Sequence, residues 1–297
     1  MLTTTFEADL GAVTAAAVTA QTTRRLRAAG IESAARDSRL LVAAALGIDA
    51  ARLLGGPEMP VEPFALKRLE TFVLRRIARE PVSRILGSRG FYGREFEISP
   101  ATLDPRPDSE TLIDAALELM DRNSENAACR ILDVGTGSGC LLVTLLAELP
   151  NATGIGTDID PQALQMAERN ARRNGVASRT SWVLARSLNG ISGPVDLLVS
   201  NPPYVPTGEI EGLDPEVREF DPRAALDGGA DGLQIYRELA EELARVVPNG
   251  WAIFEVGAGQ AEAVQALLTG DGRRPAEIRT FRDLNGVDRC VAWKARQ

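Results

Sequence analysis

The chain has 297 residues, of which 44% are hydrophobic and 25% charged, and it contains three cysteines and no histidine at a formal net charge of −8. These values indicate a globular protein with length for about two domains. Three widely spaced cysteines exclude a disulfide framework, and the lack of histidine excludes most catalytic triads and most zinc sites, so we expect no metal.

The acidic charge is unevenly distributed. Residues 1–80 carry 11 basic and 9 acidic side chains, a balance of +2, so residues 81–297 carry −10. This is not the footprint of a duplex-binding protein, and we expect no direct nucleic-acid binding. The chain also lacks an apolar run of about 18 residues and a signal-peptide pattern, so we expect a cytoplasmic protein without a membrane partner.

The first 80 residues are predicted to form a small helical domain. Asp37 to Leu46 ends at Gly47, a typical helix stop, and Leu66, Leu69, Val73 and Ile77 recur on one helical face. Residues 81–105 are rich in glycine and proline, and the run Arg94 to Ile98 could pair as a hairpin, so we assign this range as a connector.

Residues 106–297 are predicted to form the second domain, because helix and strand patterns alternate there as in a parallel α/β sheet. The fold class is therefore α/β, with about seven strands beside an N-terminal helical bundle. The expected strands are Arg130–Val134, Thr153–Asp158, Ser181–Leu184, Val195–Ser200, Trp251–Val256 and two more near Ile278 and Val291.

A glycine-rich segment follows the first of these strands. Its glycines, Gly135, Gly137 and Gly139, are spaced GxGxG, whereas a pyrophosphate-binding loop is spaced GxGxxG. Asp158 ends the next strand, where a carboxylate can accept hydrogen bonds from ribose hydroxyls. The loop therefore favours a nucleoside ligand without a pyrophosphate, and S-adenosylmethionine fits this description.

Asn201-Pro202-Pro203-Tyr204 follows another buried strand. The Asn201 side-chain oxygen and the Pro202 carbonyl are two acceptors that match the two donors of an NH2 group, and Tyr204 adds an aromatic face. A proline-rich turn after a strand is the alternative for these four residues.

Several motifs resemble the class I S-adenosylmethionine-dependent methyltransferases, and within them the glutamine methyltransferases of peptide chain release factors (PrmC/HemK type). The motifs span essentially the whole chain: Glu80-Pro81-Val82, Phe91-Tyr92-Gly93, Pro105-Arg106-Pro107-Asp108-Ser109-Glu110, Asp133 to Gly139, Asn201 to Tyr204, and Arg282-Asp283-Leu284. Asn-Pro-Pro-Tyr is shared with amino methyltransferases of DNA, RNA and ribosomal protein, whereas Pro-Arg-Pro-Asp-Ser-Glu favours the release-factor enzymes.

The resemblance implies a Rossmann-like methyltransferase sheet, a helical domain that docks a release factor, and methylation of the glutamine in its Gly-Gly-Gln motif. Asn201, Pro202, Pro203 and Tyr204 would hold the substrate amide, with Asn201, Pro202 and Tyr204 acting in catalysis. Cofactor contacts are expected from Asp133, Gly135, Thr136, Gly137, Ser138, Gly139, Asp158, Ile159, Arg186, Ser187 and Asn201.

Two residues depart from the family pattern. Arg186 stands where relatives often have an acidic residue near the adenine, and an arginine cannot accept the adenine amino protons, although the Ala185 carbonyl could substitute. Asp104 stands where relatives generally have an apolar residue.

Other roles remain open for the residues near the site. Arg106, Asp108 and Glu110 could lie near the cofactor or cap the following helix, and Glu255 could face solvent or serve a structural role. Three other functions also remain open: an enzyme methylating a ribosomal-protein glutamine, an amino methyltransferase of DNA or RNA, and a non-catalytic protein that binds the cofactor.

Overall fold

The computed structural model describes residues 13–120, 128–270 and 275–296. The chain divides into two compact units between Gly87 and Ser88. Among the described residues, no helix is long and apolar enough to cross a membrane.

The first unit consists of helices, as the sequence predicted. Thr14 caps the first helix by accepting a hydrogen bond from the Ala17 N–H, and Gly47 ends the second in the left-handed conformation (φ 69°). Leu26, Leu41 and Val73 are fully buried between the helices. The helices are α1 (Ala15–Ala28), α2 (Ala34–Leu46), α3 (Ala50–Gly55), α4 (Pro63–Ile77) and α5 (Val82–Leu86).

The range expected to be a connector is shared between the two units. Helix α5 belongs to the helical unit, where Ile85 joins the buried core. The predicted hairpin lies in the second unit and consists of β1 (Ser88–Phe91) and β2 (Arg94–Glu97), joined at Tyr92 and Gly93, both of which have positive φ. The boundary at residue 80 stays a prediction, since the contacts place the division seven residues later.

The second unit alternates strands and helices. Its further strands are β3 (Arg130–Val134), β4 (Thr153–Asp158), β5 (Thr180–Leu184), β6 (Leu197–Ser200), β7 (Trp251–Glu255), β8 (Glu277–Arg282) and β9 (Asp288–Lys294). Its helices are α6 (Glu110–Leu119), α7 (Cys140–Glu148), α8 (Pro161–Arg173), α9 (Pro215–Arg218), α10 (Gln234–Val246) and α11 (Ala261–Thr269).

Within the described ranges, the last seven strands form one sheet in the order β5-β4-β3-β6-β7-β9-β8, and this confirms the predicted Rossmann-like class. The first five strands in this order, β5, β4, β3, β6 and β7, are parallel, whereas β9 runs antiparallel to both β7 and β8. The strand order reverses between β3 and β6, and ligands of such sheets bind beyond the carboxyl ends of the strands at this point.

Apolar side chains bury both faces of the sheet because alternate residues of a strand point to opposite sides. Ile131 of β3 packs in the core that includes α6 and α7, and the next residue, Leu132, packs in the core that includes α10 and α11. The sheet is therefore held rigidly, and its carboxyl edge carries the loops described next.

Candidate active site

The glycine-rich loop and the Asn-Pro-Pro-Tyr segment lie side by side. The first follows Val134 of β3 and the second follows Ser200 of β6, and these two residues are partners in the parallel register. The Ser200 hydroxyl donates a 2.7 Å hydrogen bond to the Val134 carbonyl. The two segments border a cavity of about 780 Å³.

The cavity brings together most of the residues predicted for the site. Its lining includes Gly135, Thr136, Gly137, Ser138, Asp158, Ile159, Arg186, Ser187, Asn201, Pro202 and Pro203. Asp133, Gly139 and Tyr204 are outside the lining.

Backbone hydrogen bonds hold the glycine-rich loop against β4. The Thr136 N–H donates to the Thr157 carbonyl at 2.8 Å, and the Gly137 N–H donates to Oδ2 of Asp158 at 2.9 Å. A Cβ added to Gly135 or Gly137 would meet no atom within 4 Å, and both residues have positive φ, so the loop borders open space in a conformation that favours glycine.

Gly139 serves the packing of helices rather than the cavity. A Cβ at this position would lie 3.0 Å from the Cβ of Ala167 and 3.1 Å from its Cα. The absence of a side chain therefore allows α7 to begin directly against α8.

Asp133, in the strand β3 that precedes the glycine-rich loop, stabilises this loop. Its Oδ2 accepts a 2.6 Å hydrogen bond from the Thr136 hydroxyl, and the residue is fully buried. Burial raises the pKa of Asp133 to about 7, although the hydrogen bond from Thr136 opposes the shift. Its Oδ1 has no hydrogen-bond partner among the described residues.

Asp158 faces the cavity from the end of β4. Its two oxygens accept hydrogen bonds from the backbone N–H groups of Gly137 and Asp160. Burial raises its pKa, and the same N–H groups oppose that shift by stabilising the charged form. The adjacent Ile159 leaves an apolar side chain about half exposed (54%).

Arg186 lines the cavity, and its guanidinium is engaged in an ion pair. Its guanidinium makes two hydrogen bonds to the Glu238 carboxylate of α10, at 2.7 and 3.2 Å, and the pair is partly exposed. Ala185, whose carbonyl was the proposed substitute acceptor, lines the cavity, and its N–H donates to the Asp158 carbonyl at 2.9 Å. Ser187 follows with a positive φ of 54°.

The Asn201 side chain is oriented by a residue from a distant part of the chain. Its Nδ2 donates to the Ser109 hydroxyl, just before α6, at 3.2 Å. Pro202 is buried, and the backbone of Pro203 lies close to Gly228, where a Cβ would be only 2.7 Å from the Pro203 carbonyl oxygen.

Tyr204 is fixed by its backbone. Its carbonyl accepts a 2.9 Å hydrogen bond from Gln260, whose side chain also accepts from the Gly257 N–H at 3.0 Å. Burial raises the pKa of Tyr204 to about 12, and the Glu255 carboxyl adds to the shift. The phenol therefore remains neutral at physiological pH.

The structure also places residues whose role the sequence left open. The guanidinium of Arg106 lines the cavity and binds the buried carboxylate of Asp221. Asp108 pairs with Arg289 at 2.8 Å, and Glu110 accepts a 2.8 Å hydrogen bond from the Tyr92 N–H. For these three residues a place near the cofactor or at the start of the helix was left open, and of the three only Arg106 lines the cavity.

Asp104 now has a structural explanation. Its carboxylate is buried 3.7 Å from the Arg89 guanidinium, and its backbone N–H donates to Asp221 at 3.2 Å. Asp104 therefore belongs to a buried group of opposite charges beside the cavity, and an apolar residue at this position would leave Arg89 without this ion pair.

Glu255 was the main residue that sequence reasoning undervalued. Of the two alternatives given for it, the solvent-facing one is wrong, because only 2% of its surface is exposed. Burial raises its pKa to about 7, whereas Ser109, Arg289 and Asn201 oppose the shift. In the described ranges, no group of three or more cysteine, aspartate or glutamate residues could hold a metal ion.

Comparison with known proteins identifies relatives along nearly the whole chain. Residues 17–87 match the family model of the PrmC N-terminal domain, and residues 112–202 match that of the ribosomal protein L11 methyltransferase (PrmA). A release factor glutamine methyltransferase of Rhodospirillum rubrum is 46% identical over 273 residues, 92% of this chain and 82% of the relative. The corresponding protein of Bradyrhizobium diazoefficiens is 45% identical over 272 residues, 90% of each chain.

A solved structure shows the same fold at low identity. The catalytic domain of human METTL16, in complex with a MAT2A 3'UTR hairpin, superposes with a TM-score of 0.57 at 17% identity, covering 82% of this chain and 86% of that one. This likeness concerns the fold alone. The identity to the two bacterial proteins extends across both units and the cavity, and the chain therefore belongs to the release factor glutamine methyltransferase family.

Proposed function

We propose that this chain transfers a methyl group from S-adenosylmethionine to the side-chain amide nitrogen of the glutamine in the Gly-Gly-Gln motif of peptide chain release factors. The observation that carries the proposal is the 46% identity over 92% of the chain to a release factor glutamine methyltransferase. Because this substrate belongs to translation, we expect the activity in the cytoplasm.

The residues around the cavity suit the cofactor. Open space beside Gly135 and Gly137 leaves room for a ligand against the backbone, and Asp158 presents a carboxylate at the end of the neighbouring strand. When bound, S-adenosylmethionine supplies an electrophilic methyl group on a sulfonium centre. Ile159, Ala185 and Ser187 would border its adenosine part, and the Arg186 guanidinium would stay with Glu238.

The substrate amide would be held by acceptors. Asn201 engages its Nδ2 with Ser109, so its Oδ1 is the atom left to accept from the glutamine NH2, together with the Pro202 carbonyl. Two acceptors fix the direction of the nitrogen lone pair, which otherwise delocalises into the carbonyl. Catalysis would then rest on alignment, which supplies up to roughly 7–11 kcal/mol in the best intramolecular cases.

Tyr204 is included in the proposal as an aromatic support for the amide. Its backbone carbonyl, directly after the Asn-Pro-Pro segment, is anchored by Gln260, and its phenol is neutral. A support of this kind requires the ring but not the hydroxyl.

The test is methyl transfer from labelled S-adenosylmethionine to a purified release factor, beside the same factor with the Gly-Gly-Gln glutamine changed to alanine. We expect label on the unmodified factor alone. Equal label on both factors would refute the proposed target atom. Label on a ribosomal protein or a nucleic acid instead would refute the substrate, and calorimetric cofactor binding without transfer to any of them would indicate a non-catalytic protein.

A further inference from the structure

We propose that Glu255 and Ser109 are positioning residues that fix which end of the Asn201 amide faces the substrate. This role rests on the proposed function, because it concerns how the same site orients the glutamine. Neither residue needs to touch the substrate or the cofactor to act in this way.

The topology brings the three side chains together. Ser200 of β6 and Phe254 of β7 are register partners, so the residues that follow them, Asn201 and Glu255, lie next to each other at the carboxyl edge. Ser109 reaches the same place from the start of α6, and it is 3% exposed. The group thus joins a loop end, a strand end and a helix start in a buried setting.

When the Glu255 carboxyl is ionised, the donors and acceptors of the three side chains favour one arrangement. An ionised carboxylate only accepts hydrogen bonds, and a hydroxyl has one proton to donate. Ser109 accepts from Nδ2 of Asn201, so its own proton is free for Glu255, and the Ser109 and Asn201 side chains both stabilise the charged form of that carboxyl. The Asn201 amide, the Ser109 hydroxyl and the Glu255 carboxyl therefore form one buried polar group, in which Asn201 donates to Ser109 and both side chains favour the charged carboxyl.

This arrangement makes the flipped orientation of the Asn201 amide unfavourable. Its Oδ1 would then point toward Ser109 and the carboxylate, and an acceptor would face an acceptor in a buried environment, which is costly. At the same time Nδ2 would face the substrate NH2, donor against donor. In its ionised form, Glu255 thus selects the rotamer that presents Oδ1 to the glutamine.

Other charged groups near Glu255 do not take over this role. Arg289 lowers the pKa of Glu255, and Asp108 raises it, but the guanidinium of Arg289 is bound by Asp108 at 2.8 Å and by Asp283 at 2.9 Å. One oxygen of Glu255, Oε2, has no hydrogen-bond partner among the described residues. Besides Arg289, the side chains that favour the charged form of this carboxyl are Ser109 and Asn201.

The experiment compares Ser109→Ala, Ser109→Thr and Glu255→Gln with the wild-type protein in release-factor methylation, and it measures cofactor Kd by calorimetry. Ser109→Ala removes one hydrogen bond to the Asn201 amide, and we expect it to lower kcat about tenfold. Ser109→Thr, which keeps the hydroxyl, should restore kcat to within about threefold, and cofactor Kd should stay within about threefold in each variant. Ser38→Ala, which removes a buried serine hydroxyl from the helical unit, is the matched control and should keep full kcat.

The decisive measurement repeats Ser109→Ala and Glu255→Gln in an Asn201→Ala background. Residues that act only through Asn201 should cause no further loss there. An undiminished loss in that background, or a loss of cofactor binding that Ser109→Thr fails to restore, would show a structural role and overturn the proposal. Full kcat in Ser109→Ala would overturn the positioning role but not the proposed function. A wild-type protein that transfers no methyl group would overturn both.

Discussion

Glu255→Gln should change how the stability of the second unit depends on pH. An ordinary glutamate has a pKa of 4.5, whereas burial raises that of Glu255 to about 7. Between these values the unfolded chain releases the proton that the folded chain retains, so the free energy of unfolding falls as pH rises. The interval corresponds to about 3 kcal/mol, and the glutamine variant should not lose this amount.

The assay is urea unfolding at pH 5 and pH 8, followed by tryptophan fluorescence. The three tryptophans of the chain, Trp182, Trp251 and Trp293, all lie in the second unit, so the signal reports on the unit that contains Glu255. Asp133 has its pKa raised to about 7 by burial as well, but it is present in both proteins and cancels in the comparison. The charged and titratable groups that act on Glu255 or are affected by it are Asp108, Arg289, Cys140, Tyr204, Tyr236 and Cys290.

We expect the wild-type protein to lose about 3 kcal/mol more than Glu255→Gln between the two pH values. Glu241→Gln, which changes an exposed glutamate of α10, serves as the control and should behave as the wild type does. Equal pH dependence in the wild type and Glu255→Gln would show that the carboxyl of Glu255 is already charged at pH 5. The burial argument for this residue would then be refuted.

Four further substitutions, at three positions, test the site and the packing beside it. Asn201→Ala should lower kcat about 100-fold with cofactor Kd nearly unchanged, as loss of an oriented polar group does, and full turnover would remove Asn201 from the mechanism. Tyr204→Phe should remain active and Tyr204→Ala should not, because an aromatic support needs only the ring; equal kinetics of the two variants would contradict it. Gly139→Ala should destabilise the second unit by about 1–3 kcal/mol, since its Cβ would lie 3.0 Å from Ala167 at a φ of +78°, and an unchanged melting temperature would disprove the tight packing.

Most strands and helices could be predicted because periodicity and turn residues mark them locally. β3 and β4 begin and end at the predicted residues, and α2 ends at Leu46 before Gly47, as expected. The five-residue helix α5 was missed because one turn and a half is too short to show a helical period. The order of the strands was not predicted, since local patterns do not specify which strands become neighbours.

In the candidate site too, the features that depend on local sequence were predicted and those that depend on distant residues were not. The glycine-rich loop and Asn201 were predicted from the strands that precede them, because parallel strands bring their carboxyl ends to one edge. Ser109 was not predicted as a partner of Asn201, since 92 residues separate them along the chain. The ion pair between Arg106 and Asp221, which spans 115 residues, explains why Asp104 looked unaccountable in the sequence alone.

The two buried acids of the site suggest how a chain without histidine holds its reacting groups. Asp133 of β3 and Glu255 of β7 lie on the two strands that flank β6, and each has a hydroxyl beside it, Thr136 and Ser109. The pKa of each carboxyl is raised to about 7 by burial, and each has one oxygen without a hydrogen-bond partner in the described structure, so each costs stability near neutral pH. Apolar residues would pack there at lower cost, but they would leave the loop and the Asn201 amide free to turn. Positioning in this site is therefore obtained at the expense of folding energy, and a variant that is more stable at pH 8 is expected to be the slower enzyme.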